Sequence, residues 1–305
     1  MKLALAQLNP VIGDLDGNSE KIFEVCEEIK DKDVDLVITP ELSLIGYPPK
    51  DLLFNPRLFE EEKDVLNKLS KRLSNLSQNL SVLIGIAEPT PDIEIPKLYN
   101  SVVLLEKGTW RIVARKQLLP TYDVFDEKRY FRSAENSSIL SFNFQKKLWK
   151  IGITICEDIW VEQNLQNEKI LGKDPLKFLE NEKLDLLINL SASPFIESKS
   201  LIRQRIAAKA AMRLSCPVIY VNQVGGNDEL IFDGSSFALN EEGELKQELP
   251  SFKESVGLCD ISSLKQQPSI LSKYPTSQEV IFRALVLGVK AVSYTHLTLP
   301  TSGGG

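Results

Sequence analysis

A thiol, a carboxylate and an ammonium each stand at the end of an otherwise apolar run in this chain of 305 residues. Ile151-Gly-Ile-Thr-Ile-Cys156 ends in a cysteine followed by Glu157 and Asp158, Asp35-Leu-Val-Ile-Thr-Pro-Glu41 in a glutamate, and Trp110-Arg-Ile-Val-Ala-Arg-Lys116 in a lysine. An ordinary thiol is only slightly ionised at neutral pH and needs a base or a cation beside it to act as a nucleophile. The chain's one histidine, His296, lies in a terminal stretch unlike the rest, which leaves a Cys–His mechanism without a partner. Activation of Cys156 therefore falls to a carboxylate and a lysine. Taken singly, the three residues read as a packed strand-end thiol, a solvated loop acid and a surface cation beside Arg115. Taken together they are a nucleophile, a base and a cation, the minimum set for amide hydrolysis.

The elements that must carry these residues alternate between strand and helix. Lys2–Leu8 reads as a strand and Asn18–Lys30 as a helix with Ile22, Cys26 and Ile29 on one face. Asp35–Thr39 is a buried strand, Asn55–Leu76 a helix and Ser81–Ala87 a strand. Ser101–Glu106 and Trp110–Lys116 form a hairpin around Lys107-Gly108. Trp149–Cys156 delivers the thiol to a C-terminal strand end, where open α/β sheets place their chemistry. A short helix near Pro175–Asn181, a strand at Leu184–Leu190, a helix over Lys199–Leu214 and a strand at Pro217–Val221 follow. Ser235–Leu239 and Glu244–Leu249 flank a Glu242-Gly243 turn. Alternation mixed with hairpins predicts an α/β sandwich with a mixed sheet. No internal repeat is visible.

Composition bounds the function. The 36 basic and 42 acidic residues give a formal net charge of −6, ordinary for an enzyme and opposed to a general nucleic-acid-binding surface. No apolar run is long enough to span a bilayer, and Met1–Pro10 has too short an apolar core for a signal peptide. Cys26, Cys216 and Cys259 lie in apolar surroundings and no C-x-x-C occurs, so neither a metal site nor a dithiol pair is expected. Unclustered cysteines point to a reducing, cytoplasmic setting.

The longer motifs carry a resemblance. Pro40-Glu-Leu-Ser-Leu-Ile-Gly-Tyr-Pro-Pro-Lys-Asp-Leu-Leu53, Lys116-Gln-Leu-Leu-Pro-Thr-Tyr-Asp-Val-Phe-Asp-Glu-Lys-Arg-Tyr-Phe131 and Cys156-Glu-Asp-Ile-Trp160 occur in order, followed by Asn189–Pro194 and Val221–Ser235. The chain resembles the nitrilase (carbon–nitrogen hydrolase) superfamily and, within it, the glutaminase domains of glutamine-dependent NAD synthetases. The resemblance implies an α-β-β-α sandwich over residues 1–265, with Glu41 as general base, Lys116 as oxyanion stabiliser and Cys156 as nucleophile. It also implies that Glu127 positions the lysine, that Tyr122, Ser193 and Lys199 bind glutamine, and that Phe125 walls the pocket. Lys199 would meet the substrate carboxylate, since a cation at a helix N-terminus is disfavoured without an anion.

The same resemblance implies no cofactor for amide hydrolysis, and ATP with magnesium only for a C-terminal synthetase domain absent from this chain. No P-loop and no G-x-G-x-x-G occurs, and Ser302-Gly-Gly-Gly305 lacks the leading strand and the Asp-Ser of a pyrophosphate loop. Residues 266–290 read as a polar connector and a helix over Gln278–Lys290, and 291–305 as an appended tail with no charged residue, disordered or loosely docked. The expected partners are glutamine, the synthetase domain and a second copy in a homo-oligomer, with no nucleic acid or membrane. Two alternatives are a free-standing amidase acting on another ω-amide or carbamoyl compound, and a silent sandwich kept as an interaction domain.

Overall fold

The computed structural model describes residues 1–90, 98–122, 125–144, 147–160, 173–266, 268–270 and 276–296. In chain order its elements begin β1 (Lys2–Gln7), α1 (Leu15–Ile29), β2 (Leu36–Ile38), α2 (Arg57–Leu76), β3 (Ser81–Pro89), β4 (Leu98–Glu106) and β5 (Thr109–Arg115). They continue with β6 (Ser138–Phe144), β7 (Lys147–Ile155), α3 (Pro175–Leu179), β8 (Leu186–Ser191), α4 (Lys199–Leu214) and β9 (Val218–Asn222). The last are β10 (Val224–Asn227), β11 (Leu230–Asp233), β12 (Phe237–Leu239), β13 (Leu245–Glu248), β14 (Ser255–Asp260) and α5 (Ser277–His296).

Two six-stranded sheets run in the orders β14-β1-β2-β3-β4-β5 and β13-β12-β9-β8-β7-β6. Each has a parallel centre, β1-β2-β3 in one and β7-β8-β9 in the other, with antiparallel strands on both sides. The two sheets thus share one pairing pattern that the sequence does not betray as a repeat. The β4–β5 hairpin turns at Lys107 and Gly108, both at positive φ, as the two-residue loop requires.

Side-chain alternation along each strand builds the layers. On β1, Leu3 and Leu5 belong to the cluster that also holds Ile151, Ile153 and Ile188 of the second sheet. Ala4 and Ala6 of the same strand instead meet Ile22 and Cys26 of α1 and Leu69 of α2. On the far side, Leu187 and Val218 pack under Ile206, Ala207 and Ala210 of α4. Both faces of the central strands are covered, which is why they read as continuous apolar runs rather than alternating ones. The architecture is the α-β-β-α sandwich with mixed sheets. Asp14 starts α1 by accepting from Gly17 N–H at 2.9 Å, an N-cap that sets the entry of the helix against the sheet.

Three features depart from the sequence reading. Strands β6, β10, β11 and β14 were not expected. β14 is broken in hydropathy by Gly257, which leaves room for the Leu249 side chain, whose Cδ2 would lie 2.4 Å from a Cβ there. The polar connector is fastened to the second sheet at Ile270, whose N–H reaches Lys246 O at 2.7 Å and whose carbonyl accepts from Glu248 N–H at 3.0 Å. Helix α5 does not stop at Lys290 but continues to His296. Nothing between Ala291 and His296 is proline or glycine, so no residue there ends a helix. The rest of the expected tail, 297–305, lies outside the described residues.

Candidate active site

Glu41 sits in the turn that follows β2. Leu42, next to it, adopts the left-handed region at φ 46°, and Thr39 Oγ1 meets Ser43 Oγ at 2.6 Å across the turn. Strand β3 passes directly beneath at Gly85, where a Cβ would lie 2.2 Å from Leu42 N and 2.8 Å from Pro40 O. Glycine there lets the turn lie on the sheet. The Glu41 carboxylate is wholly buried. Its Oε1 accepts from Lys116 Nζ at 2.6 Å and from Asn100 Nδ2 at 2.7 Å, and its Oε2 from Ala192 N–H at 2.9 Å.

Lys116 follows β5 and is held to β4 by its own N–H, which donates to Asn100 O at 2.8 Å. Its ammonium, also wholly buried, bridges Glu41 and Glu127, with 2.9 Å to Glu127 Oε1. Glu127 lies in a short 3-10 turn, Glu127–Arg129, and receives the Tyr47 hydroxyl at 2.8 Å. Burial alone would lower Lys116, but the carboxylates of Glu127 and Glu41 hold its pKa well above the ordinary value, so it remains a cation. Burial pushes Glu127 up to about 7 against the pull of Lys116.

Cys156 ends β7 and opens a 3-10 turn at φ 47°, a strained setting of the kind found where side chains must be aimed. Its carbonyl accepts from Asn189 Nδ2 at 3.2 Å. Asp158, two residues on, clamps the turn. Its Oδ1 accepts from Gln117 N–H at 3.0 Å and Leu118 N–H at 2.7 Å, and its Oδ2 from Ile155 N–H at 3.1 Å. The segment behind Lys116 is thereby tied to the turn that presents the thiol. Burial raises the Cys156 thiol well above its ordinary value; Glu41 adds to this and Lys116 opposes it. The resting side chain is therefore a protonated thiol, and its proton has to leave during attack.

Residues on the far side of the thiol meet at Glu157. Tyr122 OH hydrogen-bonds the Glu157 carboxylate, and the Tyr122 and Phe125 rings stand edge to face at 5.7 Å. Lys199, the first residue of α4, holds its ammonium 5.7 Å from the Trp160 ring. Burial lowers its pKa and Arg203 lowers it further, while Cys156 and Glu157 counter them. Arg203, buried one turn further along α4, pairs with Asp233 and donates to Ser193 O at 3.2 Å. Ser193 N–H is in turn held by Asn222 Oδ1 at 2.8 Å.

The structure thus brings Glu41, Lys116 and Glu127 into direct contact within the electrostatic reach of Cys156, and gathers Tyr122 and Lys199 around the neighbouring Glu157. Ser193 joins through Ala192, whose N–H holds Glu41. Phe125 is half-buried and reaches the group through Tyr122. Sequence reasoning assigned no role to Tyr47, Asn100, Asp158 or Asn189. Each carried a signal: Tyr47, Asp158 and Asn189 lie within the motifs quoted above, and Asn100 is a polar residue inside the Leu98–Leu105 strand. Among the described residues no group of three or more His, Cys, Asp or Glu side chains could hold a metal ion, and no helix is long and apolar enough to cross a membrane.

Cys156, Glu41 and Lys116 thus stand together at the strand ends of a four-layer sandwich built from two mixed sheets. Residues 2–267 match the carbon–nitrogen hydrolase family, and the chain belongs to it. It is 42% identical over 312 residues to the glutamine-dependent NAD(+) synthetase of Synechocystis sp., covering 99% of this chain and 55% of that protein. The corresponding protein of Acinetobacter baylyi is 32% identical over 309 residues, covering 99% and 53%. The chain therefore spans about half the length of these relatives. Among solved structures, glutamine-dependent NAD+ synthetase from Acinetobacter baumannii in complex with ADP superposes with a TM-score of 0.79 at 33% identity, over 96% of this chain and 52% of that one. The Nesterenkonia AN1 amidase from the nitrilase superfamily shares the fold, with a TM-score of 0.66 at 17% identity over 88% of this chain and 94% of that one.

Proposed function

We propose that the chain hydrolyses the side-chain amide of glutamine through a thioester on Cys156, releasing ammonia for an ATP- and magnesium-dependent amidation of nicotinic acid adenine dinucleotide to NAD. The second half-reaction belongs to a synthetase domain of a longer protein, and residues 1–265 form the glutaminase unit. The observation that carries the reading is the buried contact of Lys116 Nζ with Glu41 Oε1 at 2.6 Å, beside a thiol at a strand end. The similarity to synthetases with glutamine in their names supplies the substrate.

As Cys156 Sγ attacks the amide carbon, Glu41 takes the thiol proton and Lys116, with the N–H following Cys156, meets the oxyanion. Collapse of the tetrahedral adduct breaks the C–N bond, and the proton held by Glu41 leaves with the nitrogen as ammonia. Water then attacks the thioester, Glu41 takes its proton, the C–S bond breaks and the thiol is restored with glutamate as product. Glu127 orients the lysine. Lys199 pairs with the α-carboxylate, while Ser193 and Tyr122 contact the substrate head and Phe125 closes the wall. Hydrolysis needs no cofactor. A homo-oligomer and a cytoplasmic setting fit this role.

Purified chain is to be incubated with glutamine, asparagine and other ω-amides, and separately with glutamine, ATP, magnesium and nicotinic acid adenine dinucleotide. Glutamate and ammonia from glutamine, without NAD, is the expected result. Turnover of other amides in preference to glutamine would refute the substrate, and no turnover of any amide would refute the hydrolytic role.

A further inference from the structure

We propose that Tyr47 is a positioning residue of this site: its phenol fixes the Glu127 carboxylate against Lys116, and Gln223, just before β10, and Asn227, the last residue of β10, hold the Tyr47 backbone. The proposal deepens the glutaminase reading and takes its substrate from it.

Tyr47 is 3% exposed, and its ring stands edge-on to Phe232 of β11 at 6.2 Å. Its hydroxyl donates to Glu127 Oε1 at 2.8 Å, the same oxygen that Lys116 Nζ reaches at 2.9 Å. Its carbonyl accepts from Gln223 Nε2 at 3.2 Å and from Asn227 Nδ2 at 3.3 Å. A buried phenol needs a hydrogen-bond partner. Here the partner belongs to the ionised cluster, and the backbone of the same residue is gripped by Gln223, which follows β9, and by Asn227 of β10.

The consequence lies in the geometry of the ammonium. A lysine ammonium has three N–H donors. Lys116 directs one at Glu41 Oε1 and another at Glu127, and those two directions determine where the third points. The third is the donor left for a substrate oxyanion. Without the phenol, Oε1 of Glu127 loses a donor, the carboxylate is free to turn, and the third N–H is no longer aimed. Tyr47 thus acts on the reaction through Glu127 and Lys116.

Tyr47→Phe keeps the ring and its contact with Phe232 and removes only the hydroxyl. The expected effect on glutamine hydrolysis is a fall in kcat of about tenfold to a hundredfold, the scale of one hydrogen bond to a charged group, with KM little changed. A second readout needs no substrate: the pH dependence of Cys156 alkylation by iodoacetamide. Cys26, Cys216 and Cys259 lie 0%, 1% and 2% exposed against 8% for Cys156, and peptide mapping of the alkylated chain reads Cys156 separately from them. The ionisable groups facing Glu127 are Lys116, Glu41, Tyr47 and Cys156, and the variant removes only the phenol. Because that hydroxyl favours the charged carboxylate, its loss moves the contribution of Glu127 to the profile to higher pH in Tyr47→Phe. Asn227→Ala, which loosens the grip without touching the cluster, moves it the same way by less.

An alkylation profile unmoved in both variants overturns the proposal, even where kcat falls, because a purely structural role would leave the profile in place. A moved profile in a chain that does not turn over glutamine would sink the substrate reading and uphold the positioning role.

Discussion

Replacing Glu62 by glutamine removes a buried acid that takes no part in the hydrolytic site. Glu62 lies on α2, 2% exposed, and accepts a long hydrogen bond from Ala87 N–H at 3.4 Å. Burial pushes its carboxyl from the ordinary 4.5 up to about 8. The unfolded chain therefore gives up this proton near pH 4.5 and the folded chain keeps it to about pH 8. Because the folded state binds the proton more tightly, its stability falls as pH climbs through that window. At about 1.4 kcal/mol for each pH unit, the loss is roughly 2 kcal/mol at pH 6 and, with the folded group itself half-ionised there, roughly 4 kcal/mol at pH 8. Glutamine cannot ionise and escapes the loss. For a chain of this size each 1 kcal/mol moves Tm by about 2–4 °C, so Glu62→Gln melts roughly 10 °C above the parent at pH 8 and within a few degrees of it at pH 5. Glu127 and Asp158, each held at about 7, titrate in both proteins and drop out of the difference. Thermal unfolding followed by tryptophan fluorescence from pH 5 to pH 8.5 measures it. A difference that stays flat or shrinks as pH rises refutes the reasoning.

Cys156→Ala and Cys156→Ser should abolish glutamate release with melting temperatures close to the parent's; wild-type turnover in both would remove the nucleophile assignment. Glu41→Gln and Lys116→Ala should each lower kcat by at least about a hundredfold, and each should be strongly non-additive with Cys156→Ala, which steady-state kinetics of single and double variants will show. Lys116→Ala should also lose roughly 3–5 kcal/mol of stability because it strands the Glu41 and Glu127 carboxylates in the interior, so an unchanged urea midpoint would contradict the buried bridge. Gly85→Ala should cut turnover sharply although residue 85 contacts no substrate, since its methyl group would displace the Glu41 turn. A normal kcat in that variant would show that the turn tolerates the shift.

The sandwich was legible in the sequence because its central strands are apolar on both faces and its helices carry clear stripes. Glu41, Lys116 and Cys156 stood out for the same reason, each closing a run that is otherwise largely core material. What the sequence could not reveal was pairing across distance. Asp158 looks like one acid of two after the thiol, and its bonds to Gln117 and Leu118 depend on the sheets coming together. Tyr47 looks like part of a proline-rich turn, since a phenol aimed at Glu127, eighty residues away, leaves no local trace. β14 was hidden by Gly257, and helix α5 was cut short because a change of composition was taken for a change of backbone.

The Cys156 thiol and the Glu41 carboxylate belong to different sheets. Glu41 and Lys116 extend from β2 and β5, Cys156 from β7, and the hydrogen bonds from Ala192 to Glu41 and from Gln117 and Leu118 to Asp158 cross between them. The first sheet is completed only when β14 returns to the edge of β1. A chain emerging from the ribosome therefore offers its thiol before the carboxylate is seated, and the carboxylate before its own sheet is closed. On the proposed glutaminase reading, the site is assembled only as a by-product of a finished interior.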